Sequence, residues 1–227
     1  VDSSGSIRGI VTFDDVLDAV QDEHSEDMLR MAGTTAIHPY YEPIYMGVAK
    51  RLPFLLVTLT GCIGVLLVQE RFKELITLPG LMLMVLPIVH LISGLSGNVA
   101  VVTSTVFVRG LATGEIYPGR ISRAVWQELL IGLLIGVVIA VLVGLVLSLF
   151  FHEKYGLDTI LVVVCGLFAS IAWAAAIGAL VPVFCRRFGI DPAIASGPFV
   201  TITVDISASF IFLLFVLLML SDAAPAA

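Results

Sequence analysis

From Leu129 to Phe151 the chain carries no charged side chain, and similar apolar runs occupy 52–69, 81–111, 159–184 and 192–220. About 20 such residues, rising 1.5 Å each in a helix, cross the hydrocarbon core of a bilayer. Lipid offers no partner to a bare peptide group, so a spanning segment must bond its own backbone, as a helix does. The spacing therefore predicts an all-α membrane protein with five transmembrane helices. Composition agrees: 59% of the 227 residues are hydrophobic and 13% charged, where a soluble domain carries about a quarter charged.

Within the last run, taken over 192–220, the one ionisable side chain is Asp205. An acid at that depth costs several kcal/mol, roughly, and normally faces an aqueous path or a partner. Gly197, Thr201, Asp205 and Ser209 recur every fourth residue and would form one small, polar stripe on a helix. The alternative is a buried, neutral Asp205 hydrogen-bonded to a neighbouring helix.

The second run reads as irregular, with Pro87, Gly94 and Gly97 interrupting it and Ser93, Ser96 and Asn98 crowding its middle. Broken backbone at membrane depth is tolerated where it lines a cavity or is buried in protein. Asn98 and Thr105 lie two turns apart on nearly one face. His90, near the same place, is expected to be a packed, satisfied side chain. Glu128 is expected at an interface near a helix start, where the dipole suits it. Gly132 and Gly136 give a small-residue packing signal.

Charge is divided unevenly. The first 42 residues hold nine acids against Arg8 and Arg30, a net of −7, and the other 185 hold nine acids and ten bases, a net of +1. This acidity disfavours nucleic acid and favours cations as partners. Residues 7–13 are expected to be a short strand, with Thr12 or Asp14 capping a helix that carries Asp18, Asp22, Glu23, Glu26 and Asp27. Those acids fit either a solvated face or a cation-binding surface. Gly33, Pro39 and Pro43 mark a hinge-like connection, and 44–50 is expected to lie along the membrane surface. Asp191-Pro192 reads as an N-cap followed by proline at the first helical position.

Among the connections, Lys50, Arg51, Arg109, Arg120, Arg123, Arg186 and Arg187 fall on one side, and Arg71, Lys73 and Lys154 on the other. Basic residues favour the cytoplasmic side, so the N-terminus is expected there and the C-terminus outside, across the cell membrane. Cys62, Cys165 and Cys185 have no metal-type spacing and are expected to be small buried hydrophobes. The chain begins Val1-Asp2-Ser3 with no basic-then-apolar leader and reads as the remainder of a longer protein. No nucleophile–base pair, nucleotide loop or zinc motif appears, so no enzyme is expected.

Together, Gly-Ile-Val-Thr-Phe-Asp-Asp-Val-Leu-Asp at 9–18, Ser-Glu-Asp-Met-Leu-Arg-Met-Ala-Gly at 25–33, Gly-Leu-Ser-Gly-Asn-Val at 94–99, Val-Arg-Gly-Leu-Ala-Thr-Gly-Glu-Ile at 108–116 and Gly-Ile-Asp-Pro-Ala-Ile-Ala-Ser-Gly-Pro at 189–198 resemble the MgtE magnesium transporters and channels. The resemblance covers essentially the whole chain. It implies a homodimer in membrane lipid, with a pore lined by the second and fifth helices. Mg²⁺ is implied as both transported and regulatory ion, alongside other divalent cations. Asp205 would contact the hydrated ion, Asn98 and Thr105 would face the path, and backbone around Gly197 and Thr201 would add carbonyls. By the same likeness residues 1–32 are the end of a cytosolic CBS domain and an acidic plug helix. Residues 33–51 then connect, 52–221 span the membrane and 222–227 form a tail. The competing expectation is an ion-coupled carrier of Co²⁺ or Mn²⁺ with Asp205 as its proton or cation site.

Overall fold

The computed structural model describes residues 9–32, 44–73, 82–195 and 197–221. The expected hinge at 33–43 and the tail at 222–227 lie outside them.

Helix α1 spans Phe13–Met31. Thr12 starts it through a capping box: its hydroxyl accepts the Asp15 N–H at 3.3 Å, and the Asp15 carboxylate accepts the Thr12 N–H at 2.8 Å. Asp14 and Asp15 in the first turn and Arg30 in the last complement the helix dipole. The expected strand is not formed, since 9–12 is irregular and no strand occurs among the described residues. A lone strand here would have no neighbour to accept its hydrogen bonds.

Helix α2 (Ile44–Arg71) runs straight into the first apolar span. The expected surface segment at 44–50 is thus its opening turns. Helix α3 (Met82–Ala112) is also continuous, which corrects the expectation of a broken second span. Its glycines and serines have no water to bond, so the peptide groups keep their partners inside the helix.

After a 3₁₀ turn at Pro118–Arg120 comes helix α4 (Ile121–Arg187), interrupted at Gly156, whose φ of 74° and ψ of 155° reverse the chain. Glycine accepts that left-handed φ without the Cβ clash of other residues. The limbs on either side pack antiparallel: Gly132 lies against Ala175, Gly136 against Phe168 and Ile171, and Gly144 against Val164. The small-residue signal is therefore a helix–helix seam.

The last run is divided. Asp191 Oδ1 accepts the Ala193 N–H at 2.9 Å and opens the short helix α5 (Pro192–Ala195). Helix α6 (Pro198–Ser221) begins afresh, so Gly197 sits just before it and not within one continuous stripe.

Helix α6 is the axis of the molecule. Its Val200, Val204, Ala208, Phe212, Leu213 and Val216 are fully buried against α3 and the second limb of α4. Gly61 and Gly64 of α2 admit Ile202 and Ile206 of α6. Outward-facing side chains are apolar, with Leu134 69%, Leu149 68% and Phe150 75% exposed. Water would penalise so large an apolar surface, whereas acyl chains accept it. Four helices are long and apolar enough to cross a membrane, and α4 is folded back on itself. The protein is a multi-pass membrane protein. Cys62 and Cys165 are exposed on this apolar exterior, not buried as expected.

Candidate ion site at Asp205

Asp205 lies in the middle of α6, four residues beyond Thr201, and both face α3. Gly97 of α3 makes the approach possible. A Cβ there would lie 3.3 Å from Asp205 Oδ1 and 3.4 Å from Thr201 Cγ2, so any larger side chain would push the acid away. Ser93, one turn along α3, lines the same hollows as the carboxylate. Oδ1 itself is buried and has no hydrogen-bond partner. A buried acceptor without a donor is costly, and a cation or its bound water is what such an atom lacks.

Two hollows of about 280 Å³ meet at this acid. One is lined by Asn98, Gly97, Val101 and Thr201, the other by Gln69, His90, Cys62 and Leu66. Ser93 and Asp205 belong to both. The two hollows together border α3 from Val89 to Val101, with the carboxylate between them. Its walls are apolar, with Val65 and Val89 beside the polar groups.

Of the residues singled out in the sequence, Asp205, Asn98 and Thr201 come together. Thr105 is exposed two turns beyond Asn98 and does not line either hollow. The Gly197 carbonyl accepts both the N–H and the hydroxyl of Thr201, each at 3.3 Å. Ser209, expected on the same stripe, is buried in the core. His90 is exposed and lines a hollow, which corrects its expected packing. Glu128 lies two turns inside α4 and is half-buried.

The acids of α1 separate into two groups. Asp18, Asp22 and Glu23 are exposed. Glu26 and Asp27 reach the membrane part, where Arg30 bonds both Glu26 and Asp191. Asp27 shares a hollow of about 250 Å³ with Asp191 and Arg186. Burial, and then the negative charge of Asp191, push the Asp27 carboxyl above the usual carboxylate range.

Sequence reasoning missed the Arg30–Asp191 contact, which joins positions 161 apart, and it missed Gly97 as the seat of the acid. The only available signal for the latter was a glycine amid polar residues. Among the described residues no three His, Cys, Asp or Glu side chains cluster closely enough to hold a metal ion. One carboxylate with hydroxyl and amide neighbours instead suits an ion that keeps its water. Mg²⁺ is such an ion, because it dehydrates reluctantly.

A family model described as divalent cation transporter, MgtE, matches residues 89–215. That range contains α4, α5 and nearly all of α3 and α6 except their ends, with Asn98, Thr105, Thr201 and Asp205 inside it. The magnesium transporter MgtE of Bacillus subtilis (strain 168) is 30% identical over 216 residues, covering 93% of this chain and 46% of that protein. The magnesium transporter MgtE of Thermus thermophilus is 29% identical over 222 residues, covering 94% and 46%. That of Enterococcus faecalis is 28% identical over 211 residues, covering 93% and 45%. The chain thus spans just under half the length of these relatives. A family match across more than half the chain and likeness to these relatives along nearly all of it place this protein in the MgtE family of divalent cation transporters.

Proposed function

We propose that this chain forms the membrane pathway of a Mg²⁺ transporter and works as a homodimer, with Asp205 from each copy meeting a largely hydrated ion. The observation that carries the proposal is the unpartnered Asp205 carboxylate at the junction of two hollows. The likeness to magnesium transporters makes Mg²⁺ the first ion to test. Two such carboxylates offer a charge of about −2, enough to balance one divalent ion without stripping its water.

In the proposed arrangement α2, α3, both limbs of α4 and α6 make five crossings. The N-terminus is cytoplasmic and the C-terminus external, as the basic connections favour. Helices α3 and α6 line the path, with Asn98 and Thr201 as water-bonding groups and Thr105 farther along the same face. Backbone around Gly197 serves at the cytoplasmic mouth. Residues 1–32 end a cytosolic domain and act with Mg²⁺ as a regulator through Asp18, Asp22, Glu23, Glu26 and Asp27. Residues 33–51 connect this part to the 52–221 membrane domain, and 222–227 are a tail.

The test is uptake into liposomes holding a Mg²⁺-sensitive dye, comparing Mg²⁺ with Co²⁺ and Mn²⁺. Asp205→Ala is expected to abolish uptake while the protein keeps its oligomeric size; normal uptake would refute the proposal. The competing reading is an ion-coupled carrier of Co²⁺ or Mn²⁺ with Asp205 as its proton or cation site, and His90, in one hollow with Asp205, gives it an imidazole neighbour. That alternative requires flux driven by a proton or Na⁺ gradient, and a channel-like path does not.

A further inference from the structure

The joint between α1 and α5, the short helix that leads into α6, contains its own cation. Arg30 sits in the last turn of α1, and its guanidinium donates through Nη2 to Glu26 of the same helix and through Nη1 to Asp191. The other oxygen of Asp191 caps α5 at the Ala193 N–H. One carboxylate therefore holds α1 and starts the segment leading into α6. The three charged side chains are each about a third exposed, at 30%, 39% and 32%. Partial burial of this kind makes an ion pair matter more than one in open water. The fork of an arginine also suits two carboxylates at once, which a lysine cannot match.

A second contact, steric and independent of charge, lies beside it. The Met31 carbonyl oxygen would be only 2.2 Å from a Cβ at position 197. The end of α1 thus rests directly on Gly197, at the head of the helix that bears Asp205.

We infer that Arg30 is a built-in strap: it fastens the C-terminal end of α1 onto the head of α6 through Asp191, with Gly197 as the seat. Glu26 orients the guanidinium, and the fastening needs no additional cation. Asp27 and Arg186 border the same hollow but are outside this ion pair.

The experiment is amide hydrogen exchange on the full chain in detergent with a chelator present, followed over residues 24–31. Exchange is read without any transported ion, so its outcome does not depend on what passes Asp205. Asp191→Asn keeps the α5 cap but loses the charge, and it acts from outside α1, so it reports docking apart from helix propensity. It is expected to speed exchange about tenfold, the loss of one charge-assisted contact. Arg30→Gln should match it, Arg30→Lys should retain only part of the protection, and the double variant should exceed neither single by more than about twofold. Gly197→Ala should release α1 similarly by filling the seat. Unchanged exchange in Asp191→Asn, or fully additive effects in the double variant, would overturn the strap.

Discussion

Two aspartates, fourteen residues apart in sequence, have opposite surroundings. Asp191 is bonded twice, once by Arg30 and once by a backbone N–H. Asp205 has a buried oxygen with no partner, and no ion pair among the described residues. A matched acid belongs to the architecture, because its charge is spent within the chain. An unmatched one at membrane depth is a standing cost of folding. Such a cost persists where a charge from elsewhere offsets it. The contrast separates holding from passing: one end of the 191–205 segment fixes α1, and the other bears the acid of the proposed ion pathway.

The largest expected effect tests the unmatched acid. Asp205→Asn retains size and hydrogen bonding but removes the charge, which at a few ångströms contributes about 4 kcal/mol per charge pair at an effective dielectric of about 20. Mg²⁺ uptake should fall by at least about 100-fold, while helix content and oligomer size stay as in the parent. Uptake within a few-fold of the parent would erase the distinction drawn here.

Next comes the packing that puts the acid in place. Gly178 on the second limb of α4 has the Ala100 carbonyl 2.6 Å from where its Cβ would be, so α4 and α3 touch backbone to backbone. Gly178→Val should destabilise the fold by roughly 1–3 kcal/mol, as overpacking does, and lower the thermal midpoint in detergent. An unchanged midpoint would mean that the seam is looser than this contact implies.

The smallest effect sharpens the matched side. Because Asp27 holds its proton more tightly in the docked state than in the free chain, its contribution to docking is full at low pH. That contribution fades as pH climbs through the raised value. Acidification from neutral pH should therefore raise the α1 protection factors, taken relative to the intrinsic exchange rate at each pH. Asp27→Asn should flatten that slope and slow exchange at neutral pH. A slope that survives the substitution would assign it to another group.

Much of this was legible without coordinates. The apolar runs fall on α2, α3, the two limbs of α4 and α6, Thr12 was one of two candidate caps, the Asp191-Pro192 start was visible as a local signal, and the glycines at 132 and 136 announced a seam. The failures share one cause. The sequence sets 44–50 apart as a surface piece after the Pro43 connection and reads the second run as broken at Pro87, Gly94 and Gly97, yet both are continuous helix. In lipid the peptide groups have nowhere else to bond, so the helix continues through them. His90 and the cysteines were misplaced because apolar context means exterior as readily as core when the solvent is a bilayer.

The sequence by itself determined an all-helical, membrane-embedded chain with one isolated acid at membrane depth and an acidic head, since each of these is a property of consecutive residues. Only the tertiary structure decided that Gly97 and Ser93 would meet Asp205, and that Arg30 would reach across 161 positions to Asp191. Run length and composition are local and additive along the chain. Which face of one helix meets another depends on how all the small and large side chains fit together, and no single stretch contains that information.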